Sequence, residues 1–206
     1  MLFRSERLQR ERTWQHRETA LSAGRRVLVI GTGGIGRATA RLLKAVGMEV
    51  MGAGRTARRD PDFGTIIASD ELVEHVGWAD HVVLIAPLTE QTRGLVDAAV
   101  LERMKPTAHL INAGRGALVD EPALIAALQR GQIAAASLDV VSQEPLPQDS
   151  PLWDMDEVHL SAHMSGDVVG WRDTLSEQFE RNLEAWVQGR PLSNEVDKHK
   201  GYVRGT

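Results

Sequence analysis

The 206-residue chain contains no cysteine, which excludes disulfides and thiolate metal sites and fits a reducing compartment. It also has no uninterrupted apolar run of about 18 residues, so no membrane span is expected. The opening MLFRSERLQRERTWQHRE is rich in arginine but broken by Glu6, Glu11 and Glu18, and no apolar stretch follows it. A secretory signal is therefore not expected, and a soluble, cytoplasmic protein is. Nor is there a large excess of charge. A net charge of −4 gives no reason to expect nucleic acid as the main partner. No residue grouping calls for a metal.

What the chain does have is a core: 42% of its residues are hydrophobic, enough for one or two domains. Short apolar runs alternate with helical patterns. The runs are Arg26–Ile30, Glu49–Ala53, His81–Ile85, Ala108–Asn112, Ala134–Asp139 and Val158–Ser161, with a weaker one at Thr65–Ala68. They are short and nearly continuous in apolar character, and so read as strands covered on both faces. Between them, Ile35, Ala38, Leu42 and Val46 recur at helical spacing, as do Leu124, Ile125 and Leu128. Alternation of this kind predicts a doubly wound α/β fold with a parallel sheet. A helical arm is expected over residues 3–20. A last apolar stripe, Leu175, Phe179, Leu183, Trp186 and Val187, ends at Gly189 and Pro191.

VLVIGTGGIGR places Gly31, Gly33 and Gly36 directly after a strand and at a helix start. The first glycine allows a tight turn, the second lets a pyrophosphate approach the backbone, and the third lets helix and strand pack closely. In that context the pattern points to a dinucleotide. An NAD site places a carboxylate about 20 residues on. Here VMGAGRTARRD has none before Asp60, and Arg55 and Thr56 stand at the strand end with Arg58 and Arg59 beyond. A guanidinium and a hydroxyl suit a 2′-phosphate, so NADPH is favoured over NADH. A solvated basic loop is the plain alternative.

Ligands of open α/β sheets gather at the carboxyl ends of the strands. Arg115 follows HLIN, Glu144 follows ASLD, and His163 follows VHLS. Such a trio suits reduction of a carbonyl beside a carboxylate. The imidazole would give the proton and the glutamate would fix its tautomer. The arginine would polarise the carbonyl and grip the carboxylate.

Five motifs, in order, carry a family resemblance: VIGTGGIGR, APLTEQTRGLVD, MKPTAHLINAGRGALVDEPALIAAL, ASLDVVSQEPLPQDSPLW and LSAHMSG. Over about residues 26–166 the chain resembles the D-isomer-specific 2-hydroxyacid dehydrogenases, which include glyoxylate/hydroxypyruvate reductases and phosphoglycerate dehydrogenases. The resemblance implies a Rossmann fold and a catalytic Arg115, Glu144 and His163. It implies a cofactor surface of Gly31, Gly33, Gly34, Ile35, Gly36, Arg55, Thr56, Pro87, Leu88 and Asn112, with Asp139 anchoring the nicotinamide carboxamide. It also implies a homodimer, with the arm around Trp14 crossing to the partner.

Two departures stand out. Ala162 replaces the family's usual proline before the histidine. Most of the family's substrate domain is expected to be missing, giving an arm (1–25), a dinucleotide-binding domain (26–169) and a remnant helix and tail (170–206). The expected activity is reduction of a small 2-oxo acid by NADPH, with NADH possible. The alternative is an NAD(P)-binding module without turnover. Dehydrogenases built on a Tyr–Lys pair are discounted, because the only tyrosine, Tyr202, lies in the tail.

Overall fold

The computed structural model describes residues 2–198 and 202–203. Residue 1 of the expected arm and residues 199–201 and 204–206 of the expected tail lie outside the described residues. RVLVI forms the first strand, β1 (Arg26–Ile30), with Val27 to Ile30 at most 1% exposed. Four apolar side chains in a row can be buried only where both faces of a strand are covered.

The remaining strands are β2 (Glu49–Gly54), β3 (Arg58–Asp60), β4 (Gly64–Ala68), β5 (His81–Leu84), β6 (His109–Asn112), β7 (Ala135–Leu138), β8 (Val158–Leu160), β9 (Val196–Asp197) and β10 (Tyr202–Val203). The helices are α1 (Leu2–Arg10), α2 (Gly34–Ala45), α3 (Leu72–His75), α4 (Ala98–Arg103), α5 (Glu121–Gln129) and α6 (Trp171–Val187). One eight-stranded sheet has the order β3-β4-β2-β1-β5-β6-β7-β8. Its neighbours are parallel except β3, which runs antiparallel to β4. Strand order reverses between β1 and β5, the switch point where such sheets open a crevice at their carboxyl edge. β9 and β10 form a separate antiparallel pair.

The expected α/β architecture is present, with four corrections. First, the arm is helical only to Arg10. Thr13 N–H donates to the Leu8 carbonyl and Arg12 N–H to that of Gln9, with Arg12 at φ 53°. This left-handed cap ends the helix, and Trp14, beyond it, is fully exposed. Second, Ile35, Ala38, Leu42 and Val46 face outward, and Ile35 and Leu42 are each 71% exposed. The sheet side of α2 is Gly36, Ala40 and Leu43. A Cβ on Gly36 would lie 1.9 Å from the Gly31 carbonyl oxygen, so helix and strand approach too closely for larger side chains there.

Third, Arg58 and Arg59 belong to a strand rather than a loop. The hairpin signal was DPDFG, with Gly64 at φ 73°. Fourth, β5, β6 and β7 alternate buried and half-buried positions instead of being covered on both faces. Leu84, Leu110 and Leu138 join the larger core with residues of α4 and α5, while His81, His109 and Ser137 occupy the half-covered face. The stripe of α6 is exposed as well, and Ala185 is the buried residue of that helix.

On the half-covered face His109 Nε2 lies 2.9 Å from Ser137 Oγ, and its ring meets His81 edge-on. Burial, aided by His81 and His159, pushes the His109 ring from 6.5 down to about 4. The unfolded chain therefore binds this proton first as pH falls. The associated stability is full above pH 6.5 and is lost as pH drops towards 4. His109→Gln is expected to flatten the acid side of a Tm-against-pH curve in that window. The effect is about 1–2 kcal/mol, reduced from the full linkage value because the ring is only partly buried. An unchanged acid slope would show that His109 does not carry the loss.

Candidate active site

Among the described residues the buried polar side chains are Asp60, Asn112 and Asp139. Buried polar groups must be hydrogen-bonded; Asn112 and Asp139 each organise a loop at the carboxyl edge of the sheet, and Asp60 organises the β3–β4 turn.

The glycine loop divides into two kinds of glycine. Gly31 has φ 113°, and a Cβ there would sit 2.6 Å from Ala86 N, so the fold itself requires it, as it does Gly36. A Cβ on Gly33 or Gly34 would meet nothing within 4 Å. Gly33 caps α2 at φ −78°, a backbone that alanine also adopts. Among the described residues nothing explains glycine at Gly33, whereas a pyrophosphate lying on the N–H groups that open α2 would. Gly33→Ala is thus expected to change stability by under about 1 kcal/mol. The same substitution should weaken dinucleotide binding about tenfold or more. Unchanged affinity in a calorimetric titration would remove the loop from the site.

At the end of β2, Thr56 is exposed and its carbonyl accepts from Arg58 Nη1 at 3.1 Å. Arg58 Nη2 reaches Thr32 Oγ1, inside the glycine loop, at 3.4 Å. Asp60, the first carboxylate after β2, is buried and taken by Arg37 in a two-pronged pair at 2.9 and 2.8 Å. Arg37 holds the Asp60 carboxyl below its usual range. Past β5, Pro87 is exposed and its carbonyl accepts from Thr92 Oγ1 at 2.7 Å, while Leu88 packs against the core.

Arg115, Glu144 and His163 follow β6, β7 and β8. His163 Nδ1 lies 2.7 Å from Glu144 Oε2, and Glu144 Oε1 accepts from Val141 N at 3.2 Å. The ring's N–H towards Glu144 leaves Nε2 as the nitrogen able to deliver a proton. The Arg115 guanidinium donates to the Gly114 carbonyl at 2.6 Å rather than to the pair. Its backbone is fixed by Asn112, whose side chain donates to the Arg115 carbonyl and accepts from Gly114 N.

Asp139 holds the histidine loop. Its carbonyl accepts from His163 N at 2.8 Å. Its carboxylate accepts from Ser161 Oγ at 2.5 Å and from the backbone N–H groups of Met164 and Ser165 at 3.0 Å each. Burial opposes its charge, but these donors prevail and hold the carboxyl at about 2. These bonds clamp a loop in which His163 sits at φ 51°. Beside Asp139 opens a cavity of about 270 Å³ lined by Asn112, Ala113, Ser161, Met164 and Ser165, among others.

A family model described as "D-isomer specific 2-hydroxyacid dehydrogenase, NAD binding domain" matches residues 1–165. The chain belongs to this family. The chain is 37% identical over 190 residues to an uncharacterized protein of Corynebacterium melassecola, covering 91% of itself and 62% of that relative. It is also 37% identical over 181 residues to the glyoxylate reductase of Korarchaeum cryptofilum, with coverage of 88% and 54%. It thus spans little more than half the length of these curated relatives. A D-isomer specific 2-hydroxyacid dehydrogenase from Xanthobacter autotrophicus Py2, solved with NADPH and MES, superposes with a TM-score of 0.85 at 37% identity. That match covers 98% of this chain and 82% of the other.

Sequence reasoning missed three supports of this candidate site. A Cβ on Gly116 would fall 1.9 Å from the Val141 carbonyl oxygen, so Gly116 lets the Arg115 loop touch the loop that bears Glu144. Glu121 Oε2 accepts from Ser142 N at 2.9 Å and pins that loop from α5. Ser161 anchors Asp139. The glycine after Arg115 in AGRGALVDE was the one available signal, but its neighbour lies 25 residues away in sequence.

Proposed function

We propose that this chain is the cofactor-binding part of an NADPH-dependent reductase. Its substrate is a small 2-oxo acid such as glyoxylate or hydroxypyruvate, and its product the D-2-hydroxy acid. The observation that carries the reading is the His163–Glu144 contact of 2.7 Å at the carboxyl edge of the sheet. The named activity of the Korarchaeum relative and the NADPH in the Xanthobacter structure support it.

The residues present fit a dinucleotide. The open side of Gly33 and Gly34 would take the pyrophosphate, and Arg55 and Thr56 the 2′-phosphate. Ile35, Pro87, Leu88 and Asn112 would border the bound cofactor, and Asp139, ionised throughout the working range, would accept from the carboxamide. A bound nicotinamide supplies the hydride. The protein's part is the proton: His163 gives it from Nε2 to the carbonyl oxygen while Glu144 holds Nδ1. Arg115 swings from the Gly114 carbonyl to polarise the substrate and bind its carboxylate. A homodimer would engage the arm around Trp14, whose ring is fully exposed.

A second reading, an NAD(P)-binding module without turnover, is favoured by the openness of the pair: the His163 and Glu144 side chains are 47% and 37% exposed. NADPH oxidation by the folded chain, with glyoxylate, hydroxypyruvate and bulkier 2-oxo acids, separates the two. Turnover establishes the reductase. NADPH binding without turnover establishes the module, and absence of binding overturns both.

A further inference from the structure

A carboxylate in the first turn of a helix ordinarily serves that helix's own N–H groups, the positive end of its dipole. In α5 that place is filled by Asp120, whose side chain accepts from Ala123 N at 3.1 Å, while Pro122 has no N–H to offer. Glu121, the first residue of the helix, turns elsewhere: its Oε2 accepts from Ser142 N, 21 residues on, at 2.9 Å. Its own base is firm, because Asp120 N donates to the Val96 carbonyl at 3.0 Å and Leu124 is 1% exposed.

The place of that bond gives it its consequence. Ser142 follows Val141, whose N–H donates to Glu144 Oε1 at 3.2 Å, while Glu144 Oε2 faces His163 Nδ1 at 2.7 Å. Two neighbouring N–H groups are thus held by two different carboxylates. The chain on either side of Glu144 is anchored. Upstream, the Val141 carbonyl lies against the backbone of Gly116. Downstream, the Pro147 carbonyl accepts from Trp153 Nε1 at 2.8 Å, Leu146 packs against the core, and Leu152 is 1% exposed. The freedom left in this segment is the choice of partners for the Glu144 carboxylate. An unclaimed Ser142 N–H beside it would be a charge-assisted partner in competition with the imidazole.

Resting on the proposed reductase reading, we infer that Glu121 is a positioning residue of the proton donor: by occupying the Ser142 N–H it keeps the Glu144 carboxylate on His163. Like charge works in the same direction, since two carboxylates repel one another from a single N–H. Glu121 reaches no reacting atom and acts through Glu144 alone.

The test uses the full chain with saturating dinucleotide and a 2-oxo acid. Glu121→Ala keeps the Asp120 cap and the buried Leu124, and a thermal melt verifies that it folds. It is expected to lower kcat about 10–100-fold, the scale of a misplaced catalytic group, with the dinucleotide Kd unchanged. Glu121→Gln retains an oxygen that accepts from Ser142 N and should stay within about threefold of the parent. On a Glu144→Ala background the further change to Glu121→Ala should alter kcat by less than about twofold, because its effect runs through the missing carboxylate. Equal losses in both backgrounds overturn the inference. So does parental kcat in Glu121→Ala, or a glutamine variant as slow as the alanine one.

A second readout needs no turnover. In proton NMR of the free chain, the imidazole N–H facing Glu144 is expected as a downfield resonance, assigned by its loss in His163→Asn. It should persist in Glu121→Gln and vanish by exchange in Glu121→Ala. Its persistence in Glu121→Ala, or its absence from the parent, overturns the inference. A parent that turns over no 2-oxo acid refutes the reductase reading instead, and the resonance then decides the role of Glu121.

Discussion

Replacing His163 by Asn is expected to lower turnover of a 2-oxo acid by about 10²–10⁴-fold, the range lost with a positioned general acid. NADPH affinity should stay as it was. Asparagine is the right probe because the residue sits at φ 51°, and Asn tolerates this left-handed backbone better than other non-glycine residues. The loop is held by backbone N–H groups and by Ser161, all bonded to Asp139, so it keeps its shape without the imidazole. What is lost is the proton donor aligned by Glu144. Glu144→Gln keeps an oxygen able to accept from Val141 N but removes the charge facing the ring, and should lie between the parent and the histidine variant. Full activity in His163→Asn would mean that another group or water supplies the proton, and the reductase reading would lose its central observation.

Gly116→Ala is expected to damage turnover nearly as much without touching a reacting atom. Its Cβ would lie 1.9 Å from Val141 O, 2.0 Å from Val141 C and 2.6 Å from Ser142 N. All three are backbone atoms, so no rotamer change relieves the clash. The loop 141–144 must move, and Glu144 moves with it while Glu121 still pulls on Ser142 N. A displacement of about 1 Å at a catalytic group costs about 10²-fold. Overpacking of this kind costs about 1–3 kcal/mol of stability or more. Measured together, kcat should fall, the melt should shift modestly downward, and the dinucleotide Kd should hold, because the glycine loop follows β1, separated from β6 by β5. A variant with parental kcat and melting temperature would show that the loop has room to yield.

The contrast between glycines marks what was legible. Gly31, Gly33 and Gly36 were readable because their spacing is local, three glycines within six residues, even though Gly31 also packs against Ala86. Gly116 was not, because its constraint comes from Val141, on the far side of α5 and β7. The same distinction explains the stripe of α2. Periodicity located an apolar face on Ile35, Ala38, Leu42 and Val46, but the side that packs was chosen by Gly36 against Gly31, and the stripe faces outward. Arg58 and Asp60 read as parts of a basic loop until β3 paired with β4 and Arg37 claimed the carboxylate.

The sequence by itself determined the alternation of strands and helices, the glycine loop and the placement of Arg115, Glu144 and His163 after successive strands. Each of these is written in short-range pattern: period, spacing and turn chemistry. Only the tertiary structure decided that Glu144 meets Nδ1 of His163, that Asp139 clamps the histidine loop, and which of several arginines reaches the glycine loop. Those outcomes depend on contacts between residues about 20 or more apart in the chain. Such contacts are fixed by sheet order and by close packing, which local pattern does not encode.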